Sequence, residues 1–127
     1  MAVDYVQALI LMTSRLDQTL AFYQALGLPL DVDDHGDDDD GPVHYACEIG
    51  PCHFAIFPAN DGDAPHRRTG GATMLGFRVD DLDATLLAVQ RTGARVIWEP
   101  HLAPWGRRAV VSDPDGRSVE INEPLPV

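Results

Sequence analysis

Glu120 is the residue whose setting most invites chemistry. It follows the short loop Asp113-Pro114-Asp115-Gly116, which is flanked by two apolar, β-prone runs, Val110-Val111 and Val119 to Ile121. Proline presets φ early in a turn and glycine accepts the positive φ that β-branched residues refuse, so the stretch predicts a hairpin. Strand alternation after the turn sends Ser118, Glu120 and Asn122 to one face and Val119 and Ile121 to the other. A carboxylate so placed is either a solvated group on an outer face or a group aimed into a cavity. Elsewhere, no Ser-His or Cys-His spacing reads as a nucleophile pair. Seven aspartates crowd Asp31 to Gly41. The order Asp31-x-Asp33 with Gly36 in sixth place superficially matches a calcium loop. However, His35 stands fifth and Pro42 twelfth, where a bidentate glutamate is required. Like charges this dense repel, so a solvated loop is expected there.

The elements that must position Glu120 can be read in order. Val3 to Met12 reads as a buried strand. Thr13 or Ser14 can cap a helix in which Leu16, Leu20, Tyr23 and Leu26 recur at helical spacing, ended by Gly27 with Pro29 beyond. Leu28 to Val32 can start a second strand. Val43 to Ile49 and Cys52 to Phe57 form a hairpin around Gly50-Pro51. Residues 59–71 form a polar linker containing His66, Arg67 and Arg68. Thr73 to Val79 is a strand, and Asp80 or Asp81 caps a helix running to Thr92 and closed by Gly93. Ala94 to Trp98 is a strand, Glu99 to Gly106 a loop with two prolines, and Arg107 to Ser112 and Arg117 to Asn122 the last hairpin.

Composition bounds the function. The chain has 127 residues and 45% hydrophobic content, enough for one globular domain. A formal charge of −11 argues against nucleic acid as a partner. It permits a cationic ligand. No apolar run is long enough for a membrane helix. The start Met1-Ala2-Val3-Asp4 has no basic stretch, so no signal peptide is expected and the cytoplasm is the default location. Cys47 and Cys52 flank the expected Gly50-Pro51 turn and could lie close, but two thiols without a secretion signal are expected to be free.

An internal repeat organises the chain. At an offset of 66, Leu16, Asp17, Thr19, Leu20, Gln24 and Gly27 meet Leu82, Asp83, Thr85, Leu86, Gln90 and Gly93. Each half reads strand, helix, then three strands. Neither half would easily bury a core alone, so the fold class is α+β: two βαβββ modules whose curved mixed sheets share one helix-covered core. The module bounds are about 1–58 and 72–127, joined by linker 59–71. The sheet faces turned away from the helices would line a cleft, the default binding site.

The duplication is similar to the vicinal oxygen chelate superfamily, which contains glyoxalase I, extradiol dioxygenases and the fosfomycin- and bleomycin-resistance proteins. The residues that carry the resemblance are Phe22-Tyr23 with Leu26-Gly27-Leu28, Phe77-Arg78-Val79-Asp80-Asp81-Leu82-Asp83, Pro104-Trp105-Gly106, and Asp113-Pro114-Asp115-Gly116 before Glu120. In the enzymes, the resemblance implies four metal-ligand places, usually His or Glu, on the first and last strand of each module. Here they fall on Ala8, Ala55, Met74 and Glu120, with Phe54 as the second place if the offset of 66 is kept strictly. One carboxylate will not hold a divalent ion tightly. A substitute set from Glu120, His53 and one further residue is the alternative.

The inferred cleft contains Ala8, His53, Ala55, Phe57, Met74, Arg78 and Glu120, with Ile10, Gly76 and Asn122, and with Trp98 and Trp105 at its rim. Trp98 as ordinary core and Trp105 as a loop-shaping residue are the competing readings. Arg78 is expected to pair with Glu120 if both face the cleft. Tryptophan faces attract planar or cationic groups by about 0.5–2 kcal/mol each. The expectation is a metal-independent binding protein of the bleomycin-resistance kind, with no cofactor, sequestering a small organic ligand; cationic aromatic, antibiotic-like compounds are the first class to try. The alternative is a metal-dependent lyase or dioxygenase with Glu120 as a ligand, the ion acting as Lewis acid on vicinal oxygens. The resemblance implies a homodimer.

Overall fold

The computed structural model describes residues 2–33, 43–59 and 73–126. The first module comprises β1 (Ala8–Thr13), α1 (Leu16–Leu26), β2 (Asp31–Val32), β3 (Tyr45–Ile49) and β4 (Cys52–Pro58). The second comprises β5 (Leu75–Arg78), α2 (Leu82–Gln90), β6 (Arg95–Ala103), β7 (Gly106–Ser112) and β8 (Ser118–Pro124). Two four-stranded sheets result, in the orders β1-β4-β3-β2 and β5-β8-β7-β6. β1 runs parallel to β4 and β5 parallel to β8, and the other pairs are antiparallel. This is the expected α+β duplication. Among the described residues, no helix is long and apolar enough to cross a membrane.

The offset of 66 holds for the starts of both helices and the bounds of the last strands. α1 starts at Leu16 and α2 at Leu82, and β4 and β8 have matching bounds. Gly27 ends α1 in the left-handed conformation, its N–H donating to Gln24. Asp81 caps α2 through a 3.0 Å bond accepted from the Ala84 N–H. At α1 the capping expectation fails. The N-cap position is Arg15, without a side-chain cap. Thr13 is instead buried and bonds the Thr19 hydroxyl at 3.0 Å, so its oxygen serves the strand-to-helix corner.

Two strands differ from expectation. Residues 2–7 lie outside β1 and are exposed. β4 begins at Cys52, directly after the Gly50-Pro51 turn, and its first neighbours are paired with Ile49 and Ala8. Among the described residues, Val3 to Val6 therefore have no strand to join. β6 runs on through Glu99 to Ala103, where a loop was expected. It is an edge strand, which tolerates Pro100, and register shifts between Val96 and Trp98 and between Trp98 and His101 absorb the irregularity. Most of the Asp31 to Gly41 loop and all of linker 59–71 except Ala59 lie outside the described residues, as do His66, Arg67 and Arg68.

Both modules feed one core. Phe22, Tyr23, Phe54 and Ile56 pack with Leu82, Val89, Val111, Val119 and Ile121, all nearly or fully buried. Each such side chain contributes on the order of 1.5–3 kcal/mol. The Phe54 and Phe77 rings, one from each sheet, meet at 6.1 Å, so it is the helix-covered sides that join. The loop Asp113 to Gly116 is more than a turn. Its Asp113 accepts from the Tyr23 hydroxyl at 2.8 Å, and the Pro114 carbonyl accepts from Arg15 at 2.6 Å. Arg117 donates to Asp113, to Asp115 and to the Met12 carbonyl. The second module's hairpin loop is thereby clamped into the first module.

Candidate functional site

The face of the second sheet opposite the core is built by register. β8 puts Glu120 and Asn122 there, beside Gly76 and Arg78 of β5 on one side and Val110 and Arg108 of β7 on the other. β6 adds Trp98, opposite Val110, and His101, opposite Arg108. Both Glu120 oxygens are engaged. Oε2 accepts from Arg108 Nε at 2.7 Å, and Oε1 accepts from Asn122 Nδ2 at 2.7 Å. Asn122 in turn accepts from the Trp105 indole N–H at 2.8 Å. The Arg108 guanidinium lies over the Trp98 ring at 5.1 Å, and His101 meets that ring edge-on. Burial pushes the Glu120 carboxyl up, but the bonds from Asn122 and Arg108 and the charge of Arg108 outweigh it and hold it below the ordinary carboxylate value. Trp98 is 55% exposed and Trp105 54%. Neither is core, and together they leave an aromatic rim beside a carboxylate whose two oxygens are both bonded.

The corresponding face of the first sheet is more apolar. Ala8, Ile10 and Met12 of β1 lie beside His53, Ala55 and Phe57 of β4. Phe54 and Ile56 face the core, which fixes Ala55 on the open side, one residue out of step with a strict offset of 66. His53 contacts Glu48 at 2.6 Å and lies 3.7 Å from Asp33. His44 bonds Asp33 at 2.9 Å and stacks on Phe57 at 3.8 Å. Cys47 and Cys52 are free thiols. Burial, with Glu48 and Cys52 adding to it, pushes the Cys47 thiol up.

The predicted residues thus divide between two open faces. Ala8, His53, Ala55 and Phe57 belong to the first, and Arg78, Trp98, Trp105 and Glu120 to the second, with Met74 just before β5 and exposed. Among the described residues no hydrogen bond, ion pair or ring contact joins His53 to Glu120. The expected Arg78–Glu120 pair is replaced by Arg108–Glu120. Arg78 is exposed on the far side of β8 and borders a groove with Leu28, Ile49 and Thr85. Arg108 escaped the sequence reading. Counting outward from the Asp-Pro-Asp-Gly loop places it opposite Asn122, and that was the available signal.

The model of the Glyoxalase/Bleomycin resistance protein/Dioxygenase superfamily matches residues 3–121. The chain belongs to this superfamily. It is similar to TnmS3, an antibiotic binding protein from Streptomyces sp. CB03234, at 29% identity and a TM-score of 0.67, covering 98% of each chain. The hypothetical protein SA1046 from S. aureus shares the fold, with a TM-score of 0.72 at 18% identity, covering 96% of this chain and 95% of that one. A putative glyoxylase, CFP32, of Mycobacterium tuberculosis is 31% identical over 124 residues. That match takes in 91% of this chain but 42% of the relative, so the chain spans less than half of that longer protein.

The metal that the glyoxalase superfamily implies is poorly served by these residues. Ala8, Ala55 and Met74 offer no hard donor, and Glu120 is committed to Arg108 and Asn122. Among the described residues, no three His, Cys, Asp or Glu side chains are grouped so as to hold an ion.

Proposed function

We propose that this superfamily member is a metal-independent small-molecule binding protein that holds an organic, aromatic ligand against the open sheet faces. The observation that carries the reading is the state of Glu120. The one family ligand place that keeps a donor has both oxygens hydrogen-bonded within the protein, next to two half-exposed tryptophans. Mostly apolar walls with few fixed polar groups suit an organic ligand. The 29% identity with an antibiotic binding protein over nearly the whole chain supports the same reading. Ile10, Met12, Met74 and Trp98 leave apolar surface on both open faces. A homodimer that lays the first-module face of one copy over the second-module face of its partner would cover both.

The test is a thermal-shift titration of metal-stripped protein with Ni²⁺, Zn²⁺, Fe²⁺ and Mn²⁺, beside Glu120→Ala. Ligands that bind only the folded state raise its stability, by about 2.7 kcal/mol at a hundredfold excess over Kd. The expected outcome is no saturable shift that depends on Glu120. A shift at micromolar metal that Glu120→Ala abolishes overturns the reading. Sedimentation of the free protein tests the dimer, and a single monomeric species would overturn it.

A further inference from the structure

The open face of the second sheet has a charge of its own, opposite to that of the chain. In a protein of net charge −11, the described residues that β5, β7 and β8 place on this face include two arginines, Arg78 and Arg108, against one carboxylate. Arg78, Asn122 and Arg108 occupy one row across β5, β8 and β7. Strand spacing puts the two arginine Cα atoms about 10 Å apart, within the combined reach of their side chains. Glu120 neutralises only one of them. Arg108 uses Nε for that bond, and its two terminal nitrogens have no hydrogen-bond partner among the described residues and are not sealed from solvent. Arg78 has neither a hydrogen bond nor an ion pair among those residues, and Asp80, two positions on, does not pair with it. Glu120, with both oxygens taken, is a poor receptor for an incoming cation.

The aromatic half of the site adjoins this row. Arg108 covers one face of Trp98, which fixes the indole plane, and the exposure of Trp98 leaves room against the rest of the ring. Trp105 is anchored through Asn122 in the same row.

We propose that this face selects an aromatic compound bearing a carboxylate or similarly compact anion, with its ring stacked at Trp98 and Trp105 and its anion received by Arg78 and the free fork of Arg108. The proposal rests on the reading of this face as a ligand site. Planar guanidinium donors match a carboxylate geometrically, and such charge-assisted bonds are about twice as strong as neutral ones. The long-range field of an acidic chain favours cations, but it is screened within about 8–10 Å at ordinary salt, so contact groups decide the preference.

The experiment is isothermal titration calorimetry of the intact protein with three probes of one shape: 2-naphthoate, 2-naphthylmethanol and 2-naphthylmethylammonium. Wild type, Arg78→Gln and Arg91→Gln are compared. Arg91 is exposed at the end of α2 and supplies the same charge change away from the face. The expected result is naphthoate binding about tenfold more tightly than the ammonium probe, the equivalent of one good charged hydrogen bond. Arg78→Gln is expected to bring naphthoate down toward the neutral probe, while Arg91→Gln leaves it unchanged. Equal or tighter binding of the ammonium probe, or an Arg78→Gln protein that still prefers naphthoate, overturns the charge assignment and leaves the ligand site standing. Failure of all three probes to bind overturns the ligand-site reading itself.

Discussion

Arg108 donates to Glu120 across the β7–β8 ladder at 2.7 Å, and the pair is largely shielded, with 14% and 23% of the two side chains exposed. Removing one partner is therefore worse than removing both. Arg108→Met leaves a half-buried carboxylate without its counter-ion and is expected to cost about 1–3 kcal/mol. The double variant with Glu120→Gln should recover most of that loss. Urea denaturation of the two singles and the double checks it, and additive costs would show that the pair is not coupled. The pH dependence has a definite sign. Because the folded carboxyl lies below its ordinary value, its contribution is present above the usual carboxylate range and is lost as pH falls through the folded value. Glu120→Gln should flatten that acid limb.

Tyr23 is the matching case on the alkaline side. Its hydroxyl donates to Asp113 at 2.8 Å between the two modules, and both residues are buried. Burial, then the charge and hydrogen bond of Asp113, push the phenol well above 10. A raised value stabilises the fold fully below the unfolded value of about 10, and the contribution is lost as pH rises through the folded one. Tyr23→Phe is expected to cost about 1.5–3 kcal/mol at pH 7, as for other hydrogen bonds to charged groups. It should also weaken the alkaline decline in melting temperature. An unchanged melting temperature at neutral pH would mean that the clamp between modules does not depend on this bond.

Local chemistry made much of this fold legible. Gly27, Asp81 and the Asp-Pro-Asp-Gly loop act through their own backbones, and the repeat at 66 was carried by identities within helices whose starts coincide with it. What escaped depends on pairing. Val3, Tyr5 and Val6 are apolar, yet they lie before the point where β4 begins, and hydrophobicity alone cannot supply a neighbouring strand. Pro100 reads as a loop residue until β6 is known to be an edge. The site followed the same division. Glu120 was legible from strand parity and the two tryptophans as rim candidates, with core for Trp98 and loop-shaping for Trp105 as the competing readings, whereas the partner of Glu120 depends on which strand lies beside β8. Arg78 and Arg108 both border it, and only Arg108 reaches the carboxylate.

Gly106 opens β7 at φ 149°, and a Cβ built there would lie 2.0 Å from the Glu123 carbonyl oxygen. The obstacle is backbone of the paired strand and cannot rotate away. Gly106→Ala is expected to destabilise by on the order of 3 kcal/mol, through strain and disruption of the ladder that carries Glu120 and Asn122. Thermal melting measures this directly. A variant that melts like wild type would show that the hairpin can shift its register at little cost.

Gly76 gives the opposite result and probes the site rather than the fold. A Cβ there would stand 3.6 Å from Glu120 Oε1 and 3.8 Å from Asn122 Nδ2, ordinary contact distances. Gly76→Ala should be neutral or slightly stabilising, since glycine within a strand is less favourable than alanine by about 0.5–1 kcal/mol. A longer side chain at the same position has no core to enter. It must project over Glu120, alongside the row of Arg78, Asn122 and Arg108. Gly76→Leu is therefore expected to keep a melting temperature close to that of Gly76→Ala while weakening 2-naphthoate by about tenfold or more, because it fills the space where the anion would sit. Calorimetry beside thermal melting separates the two effects. If Gly76→Leu binds the probe as wild type does, the ligand lies elsewhere on the sheet, and the row through Arg78, Asn122 and Arg108 is not its anchor.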